Sequence, residues 1–232
     1  MVIFTGAGIS TESGIPDFRS PGGIWSRMQP IPFADFLADP EARRLTWQRR
    51  LEMEETWRGV QPNEGHKAVA ELVARGRASH VVTQNIDGLH QISGVPDDRV
   101  IELHGTTRRA ACLDCGMGAA IGDILTHFEA HGQAPDCGRC GGLIKTATIS
   151  FGQAMPEPEM ARAQAAALGC DLMLVLGSSL AVYPADGFPL LAKRNRARLV
   201  ILNRDETPQD DIADLAIRAE IGPTMRAVID AL

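Results

Sequence analysis

Short apolar runs recur along this chain, and each one stops in a turn or a polar loop. Val2–Thr5, His80–Thr83, Val100–Leu103, Leu172–Leu176 and Leu199–Leu202 predict buried strands, with Ala213–Ile217 a weaker sixth. Between them lie stretches of helical character. Pro40–Trp57 is polar and rich in Arg and Glu, whereas Asn63–Arg75 opens on an Asn cap with Glu in its first turn. Glu159–Leu168 is rich in Ala, and Pro223–Leu232 begins on Pro, the residue suited to a first helical turn. Strands alternating with helices predict an α/β fold built on a parallel sheet.

Two stretches break the alternation. Met28–Gly59 is polar and helical, and Thr107–Thr146 holds two cysteine pairs and much Gly. Both fall between sheet strands, so they read as insertions that pack together as a lesser domain. The expected division is 1–27, 60–106 and 147–232 for the sheet domain, with 28–59 and 107–146 for the smaller one.

Composition narrows the partners. The chain has 232 residues, enough for one large domain carrying a smaller insert, and 44% apolar content supports a real core. A net charge of −6 gives no electrostatic footprint for nucleic acid or an acidic membrane surface. Apolar runs such as Leu172–Leu176 fall far short of the ~18 residues of a membrane span. The apolar N-terminus lacks a charged leader and runs straight into a glycine loop, so a cytoplasmic protein is expected.

Cys112-Leu-Asp-Cys115 and Cys137-Gly-Arg-Cys140 form two C-x2-C pairs whose spacer lies near the ~15–20 residues common in structural zinc sites. Four thiolates complete a tetrahedral shell and leave no position for water, so the metal is expected to hold the insert folded. His127 and His131 lie between the pairs but are not needed as ligands. Cys170 stands alone and reads as a small core residue.

The polar chemistry collects at strand ends, where open α/β sheets bind ligands. The first strand breaks into Gly6-Ala7-Gly8, small enough for a backbone to approach a pyrophosphate. Three residues after Gly8 stands Thr11 rather than a third glycine. A polar loop follows, ending in Pro16-Asp17-Phe18-Arg19. Gln84-Asn85-Ile86-Asp87 ends the second strand, where amides and a carboxylate could meet ribose hydroxyls or a nicotinamide amide. His104-Gly105 ends the third and suits a general base, since imidazole titrates near neutrality. Gly177-Ser178-Ser179 and Asn203-Arg204-Asp205 end two more. The other histidines, His66, His80 and His90 among them, have no comparable setting. Five such strand ends predict one cleft.

Taken together, Gly6 to Ser10, Gly14 to Arg19, Thr83 to Asp87, His104-Gly105, the four cysteines and Gly177 to Ser179 resemble the sirtuin family over the whole chain. The resemblance implies a Rossmann-type domain with a zinc-ribbon and helical domain inserted, and NAD and an acyl-lysine protein meeting between them. It implies protein-lysine deacylation, deacetylation first, in which NAD is consumed and nicotinamide and O-acyl-ADP-ribose are released. His104 would then be the base acting on a ribose hydroxyl, and Asn85 and Asp87 would orient the ribose and nicotinamide, assisted by Ser10, Gln84 and Ile86. Ala7, Gly8, Glu12, Asp17, Phe18, Arg19 and Trp25 would belong to the cofactor loop and its approach. Gly177, Ser178, Ser179, Asn203, Arg204, Asp205 and Ile221 would hold the adenosine half.

Two departures bear on substrate. Thr146-Ala147-Thr148-Ile149-Ser150-Phe151-Gly152-Gln153 replaces a more apolar substrate strand, and Trp47-Gln48-Arg49-Arg50 stands where a desuccinylase subgroup carries Tyr-x-x-Arg. Arg50 could meet a carboxylate, although a surface-helix arginine is the simpler reading. Mono-ADP-ribosyl transfer to protein is the rival activity, because it shares the release of nicotinamide. A zinc-containing NAD dehydrogenase would need a second metal cluster, and the sequence offers none.

Overall fold

A computed structural model describes residues 1–232. In chain order the elements are β1 (Val2–Thr5), α1 (Ile24–Arg27), α2 (Phe33–Ala38), α3 (Pro40–Trp57), α4 (Glu64–Ala74), β2 (His80–Thr83), α5 (Leu89–Ile92) and β3 (Val100–Glu102). Then come β4 (Gly105–Cys112), β5 (Gly118–Ala120), α6 (Ile121–His131), β6 (Ile144–Thr148), α7 (Glu157–Gly169), β7 (Leu172–Leu176), α8 (Gly187–Arg194), β8 (Arg198–Leu202), β9 (Leu215–Ile217) and α9 (Ile221–Asp230). Six strands form one parallel sheet in the order β3-β2-β1-β7-β8-β9. The expected strands all appear in it.

Period-two alternation decides which helix covers which face. On β1, Val2 and Phe4 point into an apolar cluster with Ala163 and Ala167 of α7 and Phe188 and Ala192 of α8. Ile3 points the other way, against Ala68, Val69 and Leu72 of α4 and Ile221, Met225 and Ile229 of α9. Phe4 pairs with Val82 on one side and Val175 on the other, all fully buried. Each such side chain contributes roughly 1.5–3 kcal/mol relative to exposure, which fixes the strand ends from which the site is built.

Helix starts are capped locally. Asn63 Oδ1 accepts from the Gly65 and His66 amides at 2.9 and 3.3 Å, and the side chain of Asp39 accepts from the Glu41 amide ahead of Pro40.

The remaining strands form a separate antiparallel sheet, β5-β4-β6. Its core joins Ile124, Leu125 and Phe128 of α6 to Trp47 of α3, Ala110, Ile144, Cys112 and Cys137. The two sheets meet where β3 ends: Gly105 pairs with Thr148, and the Ile149 amide donates to the His104 carbonyl at 2.8 Å. No helix is long and apolar enough to cross a membrane.

Candidate active site

The carboxyl ends of β1 and β7 interlock through glycines. The Gly8 amide donates to the Gly177 carbonyl at 2.8 Å, and the Gly6 amide donates to the Leu176 carbonyl at 3.2 Å. A Cβ on Gly6 would lie 2.8 Å from the Gly177 oxygen, while one on Gly177, at φ +64°, would collide with the Ile9 amide. The chain then winds into a 3-10 turn over Ala7–Ser13. Thr11 stands where a third glycine would, and its hydroxyl donates to the Gly8 carbonyl at 2.9 Å inside this turn.

Above this floor opens a cleft of about 530 Å3. The structure brings to its wall Gly6, Ala7, Gly8, Asp17, Phe18, Arg19, Trp25, Gln84, Asn85, Ile86, His104, Gly177, Ser178, Ser179, Asn203, Arg204, Asp205 and Ile221. Ser10, Glu12 and Asp87 stand outside it. Glu12 Oε1 accepts from the Gly222 amide at 2.8 Å and so caps the start of α9.

Ser10 and Asp87 act one layer down. Asn85 is buried on the wall, and its Nδ2 donates to the Gly6 carbonyl at 3.1 Å and to Ser10 Oγ at 3.2 Å. Ser10 Oγ donates to Asp87 Oδ2 at 2.7 Å, while Asp87 Oδ1 accepts from the Leu89 amide at 2.9 Å. Burial pushes the Asp87 carboxyl above its ordinary range. The amide of Asn85 is therefore fixed from behind.

Two histidines given no role by sequence complete this layer. His66 Nε2 lies 3.5 Å from Ser10 Oγ, and its Nδ1 lies 3.1 Å from the Asn63 cap. His90 Nε2 shares a 2.9 Å hydrogen bond with Thr5 Oγ1, which donates to Thr83 Oγ1 at 2.8 Å. Desolvation pulls His66 down to about 4 and His90 down to about 3, so both stay neutral at physiological pH. The spacing Asn63–His66, a cap and a residue in its first turn, was the one available signal.

His104 follows β3. Its Nδ1 bonds the Gln84 carbonyl at 3.0 Å; a carbonyl only accepts, so Nδ1 carries the hydrogen and Nε2 keeps the lone pair. Desolvation, and the charge of Arg19 to a lesser degree, lower its pKa below 6.5 against the opposing hydrogen bond. A neutral imidazole with a free nitrogen at a cleft wall can accept a proton.

The loop after the 3-10 turn covers the opening. Asp17 Oδ1 accepts from the Arg19 and Ser20 amides at 3.0 and 2.8 Å, shaping the turn. Phe18 packs on Trp25 and Trp25 on Phe151, each with ring centroids 5.5 Å apart, and the Arg19 guanidinium lies 4.4 Å from the Trp25 ring centroid. The opposite wall corrects the surface reading of Arg50. Arg50 is 7% exposed and lines the cleft, with Nη2 donating to Glu54 at 2.7 Å and to the Thr107 carbonyl at 3.0 Å. Trp47 is core, packed around the cysteines. Lys145, which sequence reasoning passed over, also lines the cleft; burial lowers it to about 8.

The four cysteine sulfurs lie within 4.8 Å of one another, with Cys112–Cys140 at 3.5 Å and Cys115–Cys137 at 3.7 Å. Zn–S bonds of about 2.3 Å in a tetrahedron set sulfurs about 3.8 Å apart, so the donor set fits zinc. The Arg139 amide is the main cause that brings the Cys137 thiol down to about 7, toward the thiolate a metal needs.

Comparison with known proteins agrees with this geometry. Residues 6–184 match the model of the Sir2 family. An NAD-dependent protein deacetylase 1 of Bradyrhizobium diazoefficiens is 56% identical over 97% of this chain and 88% of its own length. An NAD-dependent protein deacetylase of Rhodopseudomonas palustris is 53% identical over 97% of this chain and 89% of its own. Among solved structures, a Sir2 complex with p53 peptide and NAD+ superposes with a TM-score of 0.86 at 36% identity, covering 99% of this chain and 92% of that one. A Sir2 variant with deacetylated p53 peptide and 3'-O-acetyl ADP ribose gives 0.88 at 36% identity, with 99% and 92% coverage. With the family model spanning most of the chain and the relatives more than half identical, this chain belongs to the Sir2 family.

Proposed function

We propose that this chain is an NAD-dependent protein-lysine deacylase, acting first on acetyl-lysine, in the cytoplasm. One observation carries the reading: His104, neutral and with Nε2 free, faces the same cleft as the interlocked glycines of β1 and β7. The names of the deacetylase relatives and the acetyl ADP ribose complex support it over mono-ADP-ribosyl transfer.

The close backbone approach at Gly6–Gly8 would leave room for the pyrophosphate, with Gly177, Ser178, Ser179, Asn203, Arg204, Asp205 and Ile221 around the adenosine half. NAD supplies an electrophilic ribose carbon from which nicotinamide can leave. Asn85, steadied by Ser10 and Asp87, would orient the ribose and the nicotinamide end, with Gln84 and Ile86 beside it. His104 would take the proton of a ribose hydroxyl at Nε2 while Gln84 holds the ring. Phe18, Trp25 and Phe151 would exclude water from the covered end, and Asp17 and Arg19 would set the cover's shape. The four thiolates would hold one structural zinc. We place the domain division at 1–27, 60–106 and 147–232 against 28–59 and 107–146, on the support of two separate sheets and cores.

The test is NAD with acetyl-, succinyl- and longer acyl-lysine peptides, products resolved by mass. O-acyl-ADP-ribose and free lysine that vanish in His104→Ala are the expected result. NADH, or ADP-ribosylated protein without deacylation, would overturn the reading. The succinyl peptide asks in addition whether Arg50 and Lys145 accept an acidic acyl group.

A further inference from the structure

Helix α6 connects the two cysteine pairs and carries the exposed His131 and the half-buried His127 one turn apart. Their rings already stack, centroids 4.1 Å apart and planes inclined by 22°. His131 Nδ1 bonds the His127 carbonyl at 2.9 Å, so that nitrogen carries the hydrogen and Nε2 carries the lone pair. The His127 ring has no hydrogen-bond partner in the protein, and no carboxylate pairs with either imidazole. Two imidazoles at i and i+4 lie on one face of a helix, the spacing at which paired histidines share a metal ion. Metal bonds of about 2.0–2.1 Å need donor atoms about 3 Å apart, and the two rings reach that by unstacking so that their in-plane lone pairs converge on one ion. The backbone carbonyl supplies the outer bond that fixes tautomer and orientation in metal-binding imidazoles.

We propose that His127 and His131 form a surface site for a divalent first-row transition ion, distinct from the four thiolates. Two imidazoles and solvent suit Cu2+ and Ni2+ best and Zn2+ less tightly, in the order expected for nitrogen donors. Because the pair spans one turn of the helix that joins the cysteine pairs, a bound ion also pins the last turn of α6. Asp123 lies one turn further toward the N-terminus of α6, but it does not group with the pair closely enough to be a third ligand.

The test uses tag-free, zinc-loaded protein titrated with Cu2+ and followed by electron paramagnetic resonance, with retention on a Ni2+ resin as a second readout. Hyperfine structure from two nitrogens is expected. His127→Ala and His131→Ala should each weaken Cu2+ binding by ~10-fold or more, while zinc content and the circular dichroism spectrum stay unchanged. His127→Gln, which keeps a polar side chain of similar reach, should lose the metal as well. Binding should persist in His104→Ala, which removes the cleft imidazole. Equal affinity in wild type and the His127→Ala/His131→Ala double variant, or a signal lost in His104→Ala, would overturn the site.

Discussion

The parallel sheet and the cysteine-bearing sheet reach order by different means. The parallel sheet is packed on both faces, by clusters of 16 and 14 buried apolar residues, and its strands need no other support. The antiparallel sheet has a cluster of 8, and two of those are the cysteines themselves. A core that small supplies little net stability, so metal ligation becomes part of folding. The difference also sorts function. The apolar region presents rigid strand ends carrying polar groups, while the metal-dependent region supplies one wall and can be disturbed without dissolving the first.

The largest test of that contrast removes a thiolate. Cys137→Ser, or zinc chelation, should abolish deacylation and hydrogen-exchange protection in β4 and β6, while β1, β2 and β7 keep theirs. Retained protection in β4 would break the contrast. His104→Ala should lower kcat by ~10^2–10^4-fold with the melting temperature unchanged, because the loss is chemical. Gly177→Ala attacks the other side: its Cβ meets the Ile9 backbone at positive φ, so a loss of ~2–4 kcal/mol is expected in denaturant unfolding.

A pH series gives a finer separation. His66 and His90 have folded pKa values of about 4 and about 3 against 6.5, so the unfolded chain binds protons first. Stability is therefore intact above pH 6.5 and falls as pH drops from there toward those folded values, by a few kcal/mol on the order expected from linkage. The loss should concentrate in the parallel-sheet region, and unchanged stability at pH 5 would refute the neutral burial. The acid limb of kcat/KM should lie below pH 6.5, where His104 is protonated. Smallest is Glu12→Ala, which should cost ~1 kcal/mol through the lost cap on α9 and leave the KM for NAD unaffected.

Legibility in the sequence followed the same divide. Strands such as Val2–Thr5 and Leu172–Leu176 were plain because burial on both faces demands continuous apolar runs. Strand β4, Gly-Thr-Thr-Arg-Arg-Ala-Ala-Cys, was hidden because a small sheet beside a metal needs few large side chains. Helix α6 lies inside the cysteine spacer, and α8 is only Gly187–Arg194, too short for a clear helical period. The cleft residues were readable one strand end at a time, since each follows an apolar run. Arg50 was misplaced because a polar helix gives no sign of which arginine turns inward, and contact with Thr107 is made across 57 positions. His66 and His90 were missed for a related reason: a buried polar layer is defined by partners distant in sequence. Glu12 follows the glycine turn directly in the chain, and only the fold shows its carboxylate reaching the Gly222 amide 210 positions away.

Gly105 has a further consequence. It follows His104 directly, at φ +71°, and any Cβ there would strike the Ala147 carbonyl. It is also the first residue of β4, so His104 sits at the junction between the parallel and the antiparallel sheet. A side chain at 105 would push β4 off β6, so the register that joins the two sheets admits only glycine next to the imidazole.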